Sequence, residues 1–263
     1  MQKRHTNRLQ YFRELAQTSE RYFIPYIKNF LDTNNPISIL EIGCGDGGNL
    51  LPFAKRGDEV VGVDISVNRI NGAKSFFEQE KANAHFICAD ILKLNEYKGY
   101  FDLVICHDVI EHIANKQEML SRIEYFLKPS GLLFIGFPAW QMPFGGHQQI
   151  CHSKLLSILP FYHLLPTSVY KSILCTGGES KECVNELLSI KNTKITIEKF
   201  EKLIDKTSFR IVDRCLYLIN PHYEVKFGLK PRRLAGVFTK MPYIRNFLST
   251  SCFYILQNDS ICR

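Results

Sequence analysis

The chain is poor in tryptophan (one) and methionine (four), and its 263 residues contain no long uninterrupted apolar run. The most apolar long stretch, Ile150 to Leu174, is broken by Lys154, Pro160, His163, Pro166 and Lys171. A membrane-spanning helix needs roughly 20 mainly apolar residues, so none is expected. The opening residues, Met1 to Arg8, are polar and basic and lead into no apolar segment, so no secretory leader is read there. No C-x-x-C pair occurs. Nine scattered cysteines, an odd number, argue against a disulfide framework and for reduced thiols in a cytoplasmic protein. Internal repeats and low-complexity tracts are also missing.

With 45% hydrophobic and 22% charged residues, the chain can bury a substantial core and is not of the disordered class. The formal net charge of +7 suits an anionic acceptor, a membrane surface or nucleic acid, and by itself selects none of them.

Organisation follows from rhythm. Residues 1–36 form an N-terminal helical segment, with apolar positions from Leu9 to Leu31 at mostly helical spacing and a break or restart expected at Pro25. From Ile37 to Pro138, short apolar runs (Ile37 to Ile42, Glu59 to Asp64, His85 to Ala89, Phe101 to Cys106, Leu132 to Phe137) alternate with helical patterns near Gly48 to Lys55, Ser66 to Gln79 and Lys116 to Phe126. That alternation predicts a doubly wound, Rossmann-like α/β sheet with parallel strands. Lys128-Pro129-Ser130-Gly131 reads as the turn before the fifth strand. Residues 139–195 lose the rhythm and are too apolar for a plain loop, which predicts a helical lid insertion. Residues 196–263 complete the sheet: a helix at Thr196 to Lys206, strands at Phe209 to Leu218 and Cys252 to Leu256, and an irregular basic insertion at 220–245.

The motif ILEIGCGDGGNL (Ile39 to Leu50) places Gly43, Gly45, Gly47 and Gly48 between a strand and a helix. Glycines permit close backbone approach, and a helix start offers unpaired N–H groups. Nicotinamide enzymes use similar loops, and Gly43-x-Gly45-x-x-Gly48 does occur here. Asp64 ends the second strand, where a carboxylate can accept both hydroxyls of a ribose or, more plainly, cap the next helix. Asp90, after the third strand, can accept from an adenine amino group or stand as a solvated turn acid. His107-Asp108-Val109-Ile110-Glu111-His112 follows the fourth strand and belongs near the same crevice.

ILEIGCGDGGNL, GVDIS, ADIL, FDLVICHDVIEHI and LKPSGLLFIGFP, in this order and spacing, resemble the class I S-adenosylmethionine-dependent methyltransferases. The resemblance is nearest to the subgroup that includes the ubiquinone- and menaquinone-pathway enzymes, and it is strong over Ile37 to Pro138. It implies S-adenosyl-L-methionine as cofactor and a seven-stranded sheet with the last strand antiparallel. It further implies that Glu41, Gly43, Cys44, Gly45 and Gly47 line the methionine portion. Asp64 would then hold the ribose with Ile65 against the adenine, and Asp90 and Ile91 the adenine edge and face. His107, Asp108 and Val109 would pass beside the sulfonium, with His112 closing the helix entry. The Asp90 and Ile110-Glu111-His112 signals favour the methyl donor over a dinucleotide.

The acceptor side is read from residues alone. His147, beyond the fifth strand and preceded by Gly145 and Gly146, is the candidate catalytic base; the bland alternative is a structural histidine. His147, Cys151 and His152 lack a fourth ligand, so no metal is expected. The apolar lid suits a small-molecule or lipid-like acceptor, or packs on the sheet. Lys226, Lys230, Arg232, Arg233, Lys240 and Arg245 form a solvated face, a phosphate rim or a peripheral membrane contact. An RNA or protein methyltransferase and a non-catalytic cofactor-binding protein are the alternative readings. Nucleic acid is disfavoured, because no recognisable RNA-binding module is present.

Overall fold

The structure is a computed structural model that describes residues 7–259. Most of the polar opening stretch and Cys262 lie outside the described residues. Helix α1 (Arg8–Thr18) passes through a widened π turn, Ser19–Phe23, into α2 (Ile24–Ile27). The α-helix restarts at Pro25, which sits in the first turn of α2, directly after the π turn.

The Rossmann-like half follows as β1 (Ser38–Ile42), α3 (Leu51–Lys55), β2 (Glu59–Asp64), α4 (Val67–Gln79), β3 (His85–Cys88), β4 (Phe101–His107), α5 (Lys116–Phe126) and β5 (Leu127–Phe137). Ser66 caps α4 by accepting from the N–H of Arg69. The expected turn at Lys128 to Gly131 lies inside β5: pairing with β4 slips between Phe101 and Leu103, and Ser130 takes φ of 60°. The strand therefore starts five residues early and carries the turn as a bulge.

The lid is helical, with α6 (Lys154–Ile158), α7 (Thr167–Thr176) and α8 (Lys181–Thr193). Then come α9 (Ile197–Ile204), β6 (Phe209–Ile219), α10 (His222–Phe227), β7 (Arg232–Arg233), α11 (Gly236–Thr239), α12 (Ile244–Leu248) and β8 (Ser251–Asn258). The sheet order is β3-β2-β1-β4-β5-β8-β6-β7. β1 to β5 run parallel, and β8 lies antiparallel to both β5 and β6. Seven strands thus match the expected arrangement. The eighth, two-residue β7 comes from the basic insertion and pairs at the edge with Tyr217 and Ile219.

The continuous apolar strands are sorted by the period of two. Leu40, Ile42, Val61, Val63, Val104, Cys106 and Ile135 join one core with α5 and α9. Ile39, Val60, Leu103, Ile105 and Phe134 face the other, under α1, α2 and α4. The lid keeps a separate small core around Tyr162, Tyr170, Leu174 and Leu187. It is tied down by Lys116 Nζ, which donates to the carbonyls of Ile113 and Thr193, and by Thr193 Oγ1, which donates to the Glu111 carbonyl at 2.6 Å.

At the end of β1, buried Glu41 accepts from Asn49 Nδ2 at 2.7 Å, while its other oxygen has no partner. Burial pushes its carboxyl up to about 8. An acid whose folded value is raised contributes stability below its unfolded value near 4.5 and loses it as pH climbs toward 8. Glu41→Gln keeps the bond to Asn49 and removes the ionisation. In cofactor-free protein, thermal melts from pH 5 to 9 are expected to show the variant gaining about 5 °C on the wild type across that window. Parallel curves would mean that Glu41 ionises freely in the fold.

Candidate functional site

The strand order reverses between β1 and β4, and in open α/β sheets ligands lie outside the carboxyl ends of strands at such a point. Three hollows meet there. The first, about 350 Å³, is lined by Gly43, Cys44, Gly45, Asp46, Asn49 and Asp64, with Tyr11 and Leu15 of α1. The second, of similar size, is mostly apolar and is lined by Asp64, Ile65, Asp90, Ile91, Val109 and His112. The third is lined by Phe23, His107, Met142, Phe144, His147 and Ile150. Asp108 lines all three.

The glycine loop divides its labour. Gly45 has φ of 53°, and a Cβ built on it would meet nothing within 4 Å, so its backbone is bare toward the first hollow. Gly47 is different: a Cβ there would lie 2.9 Å from Phe86 and 3.0 Å from Phe77, under the loop, and it does not line the hollows. Glu41 likewise stands behind the lining, in contact with it through Asn49. The other implied residues, from Gly43 through His112, are brought together around the crevice.

Asp64 is held by two backbone donors, Gly45 N–H at 2.9 Å and Ser66 N–H at 2.8 Å. Ser66, not Asp64, caps the helix, so the plainer alternative for Asp64 does not account for it. A carboxylate has about four acceptor positions, and two remain for a diol. Ile65 beside it is 75% exposed, an apolar face left open at the second hollow. Asp90 accepts from the N–H of Leu92 at 3.0 Å, and Ile91 is buried below. A bare glycine backbone, a half-satisfied acid and an exposed isoleucine fit an adenosyl cofactor.

Asp108 adopts φ of 55°, which is uncommon without a glycine and turns the chain sharply at the strand tip. The neighbouring His107 ring is packed against Phe23 at 4.8 Å, with its Nδ1 3.4 Å from Asp108. His147, also left-handed at φ 58°, directs Nε2 toward Glu111 at 3.7 Å and meets the His112 ring edge-on at 5.1 Å. Glu111 is buried, and its carboxyl is pushed well up by that burial and by the charge of Asp108. Ligand atoms of Glu111, His112 and His147 lie within 4.8 Å of one another. Of the trio His147, Cys151 and His152, from which no metal was expected, only His147 lies in this cluster; Cys151 belongs to the lid core and His152 is exposed.

Several contributors were missed. Buried Asp46 is clasped by Arg8 and by Arg69 at 2.6 Å, which fastens α1 and α4 over the glycine loop. An acid inside a glycine turn was the available signal. Thr18 Oγ1 meets His222 Nδ1 at 2.9 Å, so α10, from the basic insertion, roofs the third hollow on α1. Arg245 leaves the basic face altogether, because it is buried in a pair with Glu198 at 2.9 Å and Glu201 at 2.7 Å.

Residues 39–131 match the family described as methyltransferase domain. The ubiquinone biosynthesis O-methyltransferase of Coxiella burnetii is 36% identical over 96 residues, which is 36% of this chain and 41% of that protein. The protein of the same description from Rickettsia prowazekii is 32% identical over 114 residues, 43% of this chain and 45% of its own. The chain thus spans less than half the length of these curated relatives. Among solved structures, the magnesium protoporphyrin IX methyltransferase of Synechocystis PCC 6803, with bound SAH, superposes with a TM-score of 0.56 at 16% identity, covering 93% of this chain and 83% of that one. That likeness speaks for the fold. No helix among the described residues is long and apolar enough to cross a membrane. The glycine loop and strand tips that surround the crevice fall almost wholly within residues 39–131, the segment that matches the methyltransferase domain.

Proposed function

We propose that the protein transfers a methyl group from S-adenosyl-L-methionine to a small, largely apolar acceptor seated between the sheet and the lid. One observation carries this reading: Asp108 walls both the cofactor hollows and the third hollow, whose other walls include Phe23, Met142, Phe144 and Ile150. The third hollow continues outward past Phe144, Tyr223 and Lys226 into a more apolar groove with Ile158, Phe227 and Leu229, which suits a lipid-like tail. The curated relatives described as ubiquinone biosynthesis O-methyltransferases favour a hydroxyl as the methylated group.

In this reading the cofactor supplies an electrophilic methyl group. Gly43 and Gly45 hold its amino-acid end through backbone, Asp64 grips the ribose hydroxyls, and Ile65, Asp90 and Ile91 fix the adenine. His107, Asp108, Val109 and His112 shape the passage to the acceptor. The acceptor oxygen must approach to about 3–3.5 Å in line with the breaking bond, which the closed walls enforce by orientation. His147 takes the acceptor proton, with the buried Glu111 carboxyl 3.7 Å behind its Nε2. Lys226 lines the apolar groove, and with the other basic residues of its segment, Lys230, Arg232, Arg233 and Lys240, it favours an anionic acceptor or lipid surface.

Two substitutions separate the roles. Asp64→Ala is expected to raise the dissociation constant for the demethylated cofactor by about 10- to 100-fold in calorimetry, the value of one or two charge-assisted hydrogen bonds. An unchanged constant would remove the ribose assignment. His147→Ala is expected to lower turnover by about 10²- to 10³-fold with cofactor affinity unaltered. Equal loss of both would make His147 structural. Labelled methyl transfer by the purified chain into lipid-soluble extract tests the acceptor class; label recovered only in RNA or protein would overturn it.

A further inference from the structure

Away from the crevice, the lid places three ligating side chains together: Cys151, Glu179 and Cys183, whose ligand atoms lie within 4.8 Å of one another. Cys151 follows the turn after His147, Glu179 lies in the α7–α8 connection, and Cys183 is in the first turn of α8. Both cysteines are free and buried, and the Glu179 side chain has no exposed surface. The carboxylate is aimed by two backbone donors, His152 N–H and Ser153 N–H, each at 2.9 Å. His152 Nδ1 lies 3.4 Å from the same carboxylate.

We propose that this cluster is a structural zinc site, with Cys151, Cys183 and Glu179 as ligands and His152 completing the tetrahedron. Zinc takes thiolate sulfur at about 2.3 Å and carboxylate or imidazole at about 2.0–2.2 Å, which sets ligand–ligand edges of about 3.4–3.8 Å. The ligand atoms of Cys151, Glu179 and Cys183, within 4.8 Å of one another, need to draw in by about 1.0–1.4 Å at most. The His152–Glu179 edge already has that length. Two sulfurs select a soft or borderline ion over calcium or magnesium. The backbone donors on Glu179 are the kind of outer contact that holds a ligating carboxylate in place. Without an ion both thiols keep their protons, since burial pushes Cys183 up to about 12 and Cys151 upward as well. Binding one Zn²⁺ therefore releases two thiol protons and leaves two Zn–S bonds.

A staple is physically useful at this place. The lid core consists of eight buried side chains, two of them these cysteines, and it is separate from the cores on the sheet. So small a core gains little from burial alone. Gln149 and Ile150, immediately before Cys151, line the third hollow, so the ion fixes one wall of the acceptor site without touching the cofactor crevice. The site does not depend on the methyl-transfer reading.

The test is metal analysis of the full-length chain purified without chelator, then of the stripped chain titrated with zinc. One zinc per chain is expected in the wild type and in His147→Ala, and at least about 100-fold weaker binding in Cys183→Ser. His152→Ala is expected to weaken binding by about 10-fold. Cobalt(II) substitution should give a thiolate-to-metal charge-transfer band, and titrating wild-type thiols with a mercurial should release the ion to a coloured chelator. These last two need no variant to fold. Zinc lost in His147→Ala but kept in Cys183→Ser would place the ion at Glu111, His112 and His147 and overturn the proposal. So would absence of zinc binding, or an intact mass two hydrogens light that maps to a Cys151–Cys183 disulfide.

Discussion

One hydrogen bond, from the Gly45 N–H to Asp64 Oδ2, couples the tips of the first two strands and shapes the crevice. It requires a residue at 45 that accepts positive φ and presents no side chain toward the ligand space. It also fixes the carboxylate so that its remaining acceptors point outward. A parallel sheet buried on both faces supplies the rigidity behind this contact, because Ile42 is paired to Val63 on one side and Cys106 on the other. Ligand-binding geometry at this end of the molecule is thus a consequence of register.

That bond would be of little use if the loop could lift away. Asp46 prevents it by pairing with Arg8 of α1 and Arg69 of α4 from a fully covered position. Ser19 Oγ adds a bond to the Asn49 carbonyl at 2.8 Å from the widened turn of the N-terminal helix. The π turn also brings Phe23 onto His107 and Phe134. π turns recur at functional sites, and here the extra residue per turn aims an aromatic into the wall of the third hollow. The segment before the first strand is therefore part of the site.

The alternating fold from Ile37 to Pro138 was legible because its signals are local: apolar runs, a Ser cap, a glycine turn and acids at strand tips. The residues that line the crevice were legible for the same reason, since a doubly wound sheet places its strand tips side by side. Gly47 shows the limit. Its glycine character reads as cofactor approach, but the neighbours that demand it are Phe77 and Phe86, at 30 residues' distance or more along the chain. Arg245 shows another: a basic residue in a basic segment reads as surface until Glu198 and Glu201 are brought beside it. Cys151 and Cys183, separated by 32 positions, carry no spacing motif at all. Each failure concerns a contact made only by tertiary packing.

The lid and the crevice are joined at the C-terminal end of α8. Thr193, the last residue of α8, donates to the carbonyl of Glu111, and Lys116 bonds the carbonyls of Ile113 and Thr193. Glu111 in turn faces His147, which the lid's opening turn carries. A shift of α8 therefore reaches the acceptor cavity by two routes, through Glu111 at its C-terminal end and through the Cys151 turn at its N-terminal end. With the proposed zinc bound, both ends of α8 would be fixed and the helix would act as a strut between the lid's opening turn and the strand tips. Orientation at a reacting centre is sensitive to displacements of about an ångström. On the proposed reading, stiffness of this single helix would bear on turnover, even though none of its side chains lines the cavity.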